Sequence, residues 1–333
     1  MNAILGHITP AQHRRHALHG DDRAWPETNC HTDLWIELLA ALGRDPRAAL
    51  GMTIAIDFEG DQFTFFKMRA AEIEAFYGVE LEELTVYRPL ADHVETLVAR
   101  GHFPLIEVDA HYLPDTQGLT YRTGHSKTTI AINRFDRAAR HLEYFHNAGY
   151  FEADGDDVAG LLALDHTPTL PPYSEYVKVT GPGLAAAALA RQSRQALEGH
   201  MARRPGHHPL LAYRDTIDGD LLRLGQEGQS AFHAYAFAVF RQYGAAMELL
   251  SAHLAYLSEF NQGDFAEAAK IAGALSSAAK TLQFVAARAV MRRTGDGLKD
   301  AVTAMATDHS LLVEAVAAGL VSRATLRPRA VGA

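Results

Sequence analysis

The stretch Glu27-Thr28-Asn29-Cys30-His31-Thr32-Asp33-Leu34-Trp35 contains the only cysteine among the 333 residues of the chain. Asn29 or Thr28 is a suitable N-cap, apolar residues follow at 34, 35, 38, 39 and 42, and Gly43 is a suitable stop. This pattern predicts a helix that begins near Cys30. Because the first helical turn has unpaired N–H groups that stabilise an anion, the position favours the thiolate form of the side chain.

A lone cysteine is more often a buried, unreactive residue than a nucleophile, so the presence of a partner base decides between the two interpretations. His125 precedes an apolar strand at 128–135, and Asn147 follows the next strand. A cysteine at the start of a helix, then a His, then an Asn is the chain order of papain-like enzymes. We therefore predict Cys30 as nucleophile, His125 as base and Asn147 as the group that orients the base, with His146 as the alternative base.

The composition indicates a soluble globular protein, with 48% hydrophobic and 21% charged residues. Residues 1–165 carry 26 acidic and 14 basic side chains, a net charge of −12, and the remainder carries +3. The acidic first half makes nucleic acid an unlikely class of partner. One cysteine excludes an internal disulfide and a cysteine-based zinc site. No apolar run resembles a signal peptide or a membrane span, so we expect a cytoplasmic protein with no membrane partner.

The order of predicted elements indicates an α+β domain over residues 27–165, after an irregular N-terminal segment at 1–26. The proline-rich stretch at 167–172 is the predicted boundary. Beyond it, alanine-rich helical periodicity over 173–325 predicts an all-helical domain. Short strands are predicted at 52–58, 62–67, 104–110, 128–135 and 142–145.

Several motifs of the first half resemble those of one known family. They are Asn29-Cys30-His31-Thr32-Asp33, Ile56–Gln62, Val108–Asp115, Gly124–Thr129 and Tyr144–Tyr150. Over residues 25–165 the chain resembles DUF1839, a bacterial family of unknown function that is similar to the N-terminal domain of butirosin biosynthesis protein H. Its relatives are papain-like in fold, and that protein moves an acyl group from an acyl carrier protein to an amine of an aminoglycoside. The resemblance implies a papain-like cysteine-protease-type domain in which Cys30 and His125 match the nucleophile and the base.

These observations together predict transfer of an acyl or aminoacyl group from a carrier-protein thioester, through acyl-Cys30, to a small-molecule amine. The acyl carrier protein would bring its own phosphopantetheine arm, and the mechanism needs no metal and no organic cofactor. Four residues are predicted to bind substrate. Asp109 and Asp115 would bind the ammonium group of the substrate, and Tyr112 lies in the turn between them. Asn29 would donate to the oxyanion.

Two other functions remain open from the sequence. A cysteine hydrolase (an amidase, thioesterase or peptidase) uses the same nucleophile and base. Papain-like peptidases carry a Gln a few residues before the nucleophile, and Arg23, Ala24 and Trp25 occupy that place here. This departure disfavours peptide cleavage more than thioester chemistry, because a thioester has the better leaving group. A non-catalytic binding protein on the same fold is the alternative from another class, and the sequence leaves homo-oligomerisation open.

Overall fold

The structure, a computed structural model, describes residues 3–165 and 170–322 of the chain. It consists of two compact units, one formed by Met1–Pro46 with Met68–Leu184 and the other by Arg47–Lys67 with Ala185–Ala333. The first unit combines helices with an antiparallel sheet, and the second is helical, in agreement with the predicted class. The first unit extends beyond the expected end at 165, and the predicted boundary at 167–172 lies partly outside the described residues.

The sheet of the first unit has six strands in the order β1-β6-β2-β3-β4-β5, and each neighbouring pair is antiparallel. The strands are β1 (Val79–Glu83), β2 (Phe103–Asp109), β3 (Lys127–Asp136), β4 (His141–His146), β5 (Gly149–Asp154) and β6 (Ser174–Val179). β2, β3 and β4 lie where the β-branched and aromatic runs predict strands. β5 and the short helix after it were not predicted.

Helices cover both faces of this sheet. They are α1 (Cys30–Ala41), α2 (Ala70–Tyr77), α3 (Leu90–Ala99) and α4 (Asp156–Leu161). On one face, Ile106, Val108, Ile130 and Ile132 form a buried cluster with apolar residues of α3 and α4. α1 packs against β3, β4 and β5 and contributes no residue to that cluster as described, so it covers the opposite face.

The predicted strands at 52–58 and 62–67 are wrong. Residues Pro46–Ala55 form a 3₁₀ helix. After it, Phe58 and Phe63 form an isolated antiparallel β-bridge. Both phenylalanine rings pack against Tyr213 of the helical unit, at centroid distances of 5.5 and 6.1 Å. The apolar pattern of this segment therefore reflects burial among helices, and the segment belongs to the second unit.

The second unit contains six α-helices in its described part, with a π-helical turn at Phe237–Arg241 before the fourth. They are α5 (Ala186–Ala202), α6 (Pro209–Glu227), α7 (Gln229–Ala236), α8 (Gln242–Glu259), α9 (Ala266–Arg292) and α10 (Asp296–Val321). α10 has the length and hydropathy of a membrane span, but it packs against α6 and α9 with its buried stripe. The buried stripe on one side of α10 is that of an amphipathic helix in a helical bundle.

Candidate functional site

Cys30 is the first residue of α1, at the position that the sequence predicts. Asn29 has extended backbone angles, and its side-chain oxygen accepts a hydrogen bond from the Thr32 amide at 2.9 Å. This is an N-cap, which fixes the start of the helix and the place of the thiol. Cys30 is partly exposed and unoxidised. A reactive thiol at this position is therefore accessible to a reagent.

His125 is paired with Asp109, at the ends of β3 and β2. The Asp109 Oδ2 lies 2.6 Å from the His125 Nδ1, and 71% of the His125 side chain is exposed. Because an ionised carboxylate only accepts hydrogen bonds, the proton of the neutral imidazole lies on Nδ1. The Nε2 atom therefore presents its lone pair outward, which is the tautomer that a general base needs.

The carboxylate of Asp109 is held ionised by three donors. Its Oδ1 accepts from the backbone N–H groups of His111 and Ser126, at 3.0 and 3.3 Å. Partial burial opposes ionisation, but the hydrogen bonds from His125 and these amides keep the pKa of Asp109 below its ordinary value. His111 also stacks on the His125 ring, with centroids 4.5 Å apart, and donates from Nδ1 to the Gly124 carbonyl. These contacts fix the orientation of His125.

Strand alternation assigns this pair to a face of the sheet. The cross-strand partner of Lys127 is Asp109, and that of Ala131 is Phe145. Residues 127 and 131 of β3 are four apart, so they share a face, and that face is opposite to the cluster of Ile130 and Ile132. α1 covers this same face. Asp109 therefore starts on the side of the sheet that α1 covers, whereas residues of α3 and α4, from the other side, line an open groove next to His125.

His125 and Asp109 line an open groove of about 580 Å³ within the first unit. Glu107 and Lys127 form an ion pair at 2.6 Å on the same lining, and residues 170–173 with Leu161 provide apolar wall. Cys30 is not one of the residues that line this groove. Within the part of the chain that is described, no hydrogen bond joins Cys30 to His125 or to His146.

His146, the alternative base, has no ring nitrogen left for a thiol. Its Nδ1 lies 2.5 Å from Asp115 Oδ2 and its Nε2 lies 2.8 Å from Thr128 Oγ1, and the side chain is 1% exposed. Tyr144 donates to the other Asp115 oxygen at 2.7 Å. Tyr144 belongs to the cluster on the α3 and α4 side, so this network lies across the sheet from α1. Both His146 and Asp115 are therefore parts of a buried network and not of an open site.

Asn147 lies in a tight turn, and Tyr112 packs against α4. Asn147 has a φ of 45° in the two-residue turn between β4 and β5, a left-handed conformation that Asn tolerates well. The His125 nitrogen that we assigned to Asn147 is bonded to Asp109 instead. Tyr112 packs over Gly160 of α4, and the Arg122 guanidinium lies 5.4 Å from its ring centre.

Two acidic residues of α1, Asp33 and Glu37, belong to a buried charged network. Glu37 accepts from the Nε2 of His13 at 2.9 Å and from the Nδ1 of His19 at 2.5 Å, and His19 also approaches Asp33. Burial lowers the pKa of His19, but the hydrogen bonds to Asp33 and Glu37 outweigh it and raise the pKa to about 9. Burial raises the pKa of Glu37, and the hydrogen bonds from His13 and His19 lower it to about 2. Both groups are therefore charged at neutral pH.

Sequence reasoning missed the pairing of Asp109 with His125 and the stacking of His111. Seventeen residues separate β2 from β3, so no local pattern fixes their register; the strand ending at Asp109 was the only available signal. Among residues 3–165 and 170–322, no group of three or more His, Cys, Asp or Glu side chains has an arrangement suited to a metal ion.

Family models match both units of the chain. A family model described as the DUF1839 N-terminal domain matches residues 14–179, and one described as the DUF1839 C-terminal domain matches residues 186–318. The gap between the two matches falls at the division between the structural units. A search of curated proteins found no match. The chain belongs to the DUF1839 family.

Proposed function

We propose that this member of the DUF1839 family is a cysteine-dependent acyltransferase whose first unit is papain-like. It moves an acyl or aminoacyl group from an acyl carrier protein thioester to a small-molecule amine, as the resemblance to butirosin biosynthesis protein H implies. The observation that carries the proposal is the Asp109–His125 pair. It presents an exposed base at the ends of β2 and β3, in the same unit as the helix that begins with Cys30.

In the first half-reaction, His125 Nε2 accepts the Cys30 thiol proton and the sulfur attacks the thioester carbonyl carbon. The carbonyl–sulfur bond of the donor breaks, and the phosphopantetheine thiolate leaves with the proton from His125. Asp109 stabilises the imidazolium that forms between these steps. The Cys30 backbone N–H, at the first helical position, needs no helical acceptor and is available to the oxyanion, with Asn29 beside it.

In the second half-reaction, the amine nitrogen attacks acyl-Cys30 and His125 takes its proton. The amide forms and the Cys30 thiolate leaves. Asp109 gives the groove one negative charge beyond the Glu107–Lys127 ion pair, which attracts the ammonium form of the amine, and the amine loses one proton to solvent before its nitrogen attacks. No metal or resident organic cofactor enters this sequence. The missing hydrogen bond between Cys30 and His125 is compatible with it, because catalytic hydrogen bonds of free enzymes often tighten only in the substrate complex.

Hydrolysis is the competing outcome, since a hydrolase forms the same acyl-Cys30. The two reactions differ in the second nucleophile, because a transferase holds an amine and excludes water. The test loads an acyl carrier protein with acyl and aminoacyl groups and follows the intact masses of both proteins. The proposal predicts an adduct that persists in buffer, clears when a pool of amines is added, and is absent in Cys30→Ala.

Three results would contradict the proposal. Rapid loss of the adduct in buffer alone would identify a hydrolase. Equal adduct formation in Cys30→Ala would place the acyl group elsewhere. Absence of an adduct with every donor would leave the binding-protein interpretation. Asn147→Gly is the matched control, because glycine fits the positive φ of that turn and the residue has no role in the proposed chemistry.

A further inference from the structure

A cavity of about 300 Å³ lies within the helical unit, at the start of α6. All of its lining residues belong to the second unit, so it is separate from the site proposed for acyl transfer. Pockets for small molecules begin at about this volume. Six lining residues carry the argument: Ile54, Ile56, Arg204, His208, His309 and Val313.

His309 directs a hydrogen-bond donor into the cavity. The residue is 5% exposed, and its Nδ1 lies 2.9 Å from the Tyr243 hydroxyl oxygen. Burial raises the pKa of Tyr243, so the hydroxyl group keeps its proton. Within the described structure this hydroxyl group donates to His309 Nδ1. Burial, together with the charges of His208 and Arg204, lowers the pKa of His309 to about 3. The neutral ring therefore carries its proton on Nε2, for which no described residue is an acceptor.

His208 also lines the cavity. Its Nε2 donates to the Ala306 carbonyl oxygen, which accepts only, at 2.9 Å. The Nδ1 atom is buried and has no hydrogen-bond partner among the described residues. The rings of His208 and His309 are 5.2 Å apart. The Nε2–H of His309 is therefore the donor that this pair offers to a ligand oxygen, such as that of a hydroxyl group.

Arg204 adds a positive charge to the lining. Its Nε donates to the Met201 carbonyl at 3.4 Å, and no described residue accepts from its terminal nitrogens. Pro209, the first residue of the 19-residue helix α6, also lines the cavity, so the positive end of the helix dipole reinforces the charge. The opposing carboxylates are Glu314, exposed at the rim, and Asp57, which is paired with His207 at 2.9 Å.

We propose that this cavity binds a small hydroxycarboxylic acid. The carboxylate binds Arg204 at the start of α6, and the hydroxyl group accepts from His309 Nε2. The short carbon chain packs against Ile54, Ile56 and Val313. Arg204, His309 and the apolar side chains all line the cavity in the structure without the ligand.

The test is isothermal titration calorimetry of the full chain with 3-hydroxybutyrate and with butyrate. We expect saturable binding of 3-hydroxybutyrate and binding of butyrate weaker by about tenfold, since His309 Nε2 loses its acceptor. Arg204→Met should weaken 3-hydroxybutyrate binding by about tenfold or more, because a charge-assisted hydrogen bond is lost. Arg191→Met, an exposed arginine on α5 outside the lining, is the matched control and should bind as the wild type does.

The proposal is overturned by any of three results. They are no saturable heat with 3-hydroxybutyrate, equal affinity for butyrate, or unchanged affinity in Arg204→Met. Binding should be unchanged in Cys30→Ala, and its loss there would place the ligand at the thiol instead. Because this experiment needs no acyl transfer, its result is independent of whether the proposed function holds.

Discussion

At the scale of single residues, Asp109 determines what His125 does. Three hydrogen bonds hold its carboxylate in place, and one of them fixes the imidazole tautomer. From the sequence we expect Asp109 to bind substrate and Asn147 to orient the base. The structure instead makes Asp109 the partner of His125 and places Asn147 in a turn. Strand register, which brings residues 109 and 127 together, decides this exchange of roles.

Replacing Asp109 by Asn should lower kcat/KM for acyl transfer by about 100-fold or more. The amide nitrogen donates where the carboxylate accepts, so it favours the tautomer with the proton on Nε2 and removes the base. The measurement is single-turnover amide formation in Asp109→Asn and in Asn147→Gly. Comparable losses in the two variants, or full activity in Asp109→Asn, would contradict the assignment of roles.

The buried pair of His19 and Glu37 should make the stability of the first unit depend on pH. The pKa of His19 is raised from 6.5 to about 9, so its contribution is full below pH 6.5 and is lost as the pH rises through 9. The pKa of Glu37 is lowered from 4.5 to about 2, so its contribution is full above pH 4.5 and is lost as the pH falls through 2. The two contributions are therefore largest together between pH 4.5 and 6.5.

The measurement is the free energy of unfolding of wild type and Glu37→Gln in urea, at pH 6 and pH 9. Both tryptophans, Trp25 and Trp35, belong to the first unit, so their fluorescence reports on it. We expect Glu37→Gln to lower the free energy of unfolding by about 3–5 kcal/mol at pH 6, because the buried His19 loses one of its two carboxylate partners. The loss should be smaller at pH 9. A difference that is equal at the two pH values, or larger at pH 9, would contradict the linkage.

At the scale of elements, the cap of α1 connects stability to the site. Asn29→Ala should lower the free energy of unfolding of the first unit by about 1 kcal/mol, because the Thr32 amide loses its acceptor. Asn29→Ser keeps a capping oxygen and should retain most of the stability. Urea unfolding followed by tryptophan fluorescence checks both. Equal losses in the two variants would show that Asn29 acts through contacts other than the cap.

Elements with strong local signals were predictable, and elements defined by distant contacts were not. The start of α1 follows from Asn29 and the apolar spacing after it, and β3 follows from its β-branched run. The segment at 52–58 has the apolar content of a strand, but Phe58, its one aromatic side chain, packs against Tyr213, more than 150 residues later in the chain. α6 lies within the stretch that the sequence predicts to be helical, and Gly219 and Gly225 in its interior lower its helix propensity. Helical packing overrides local preference in both cases.

At the scale of the whole molecule, the segment 47–67 belongs to the helical unit although it lies inside the first unit in sequence. Ser193 donates to the Ala48 carbonyl at 2.8 Å, and His253 bonds the Arg47 carbonyl at 2.9 Å. These contacts join residues more than 140 positions apart, which no local pattern reveals. The order of an α+β unit and a helical unit was predictable from composition, whereas this insertion was not.

Gly51 tests the packing of that insertion. A Cβ atom at this position would lie 2.7 Å from the His253 Nε2, so Gly51→Ala should destabilise the helical unit by about 1–3 kcal/mol. Gly219→Ala, in open space on α6, is the control and should stabilise it by about 0.5–1 kcal/mol. Thermal unfolding followed by far-UV circular dichroism, which the helices dominate, measures both. A shift of the same sign in the two variants would contradict this packing.

We propose that Cys30 is a nucleophile and that His125 is its general base. The rate of Cys30 acylation in a single turnover tests this most directly. The full chain is mixed with a small alkyl thioester, quenched at intervals and mapped by peptide mass spectrometry. The account predicts an acyl group on the Cys30 peptide, formed about 100-fold more slowly in His125→Ala and at the wild-type rate in His233→Ala, an exposed histidine of α7. Acylation that is absent from Cys30, or that proceeds equally fast in His125→Ala, would contradict it.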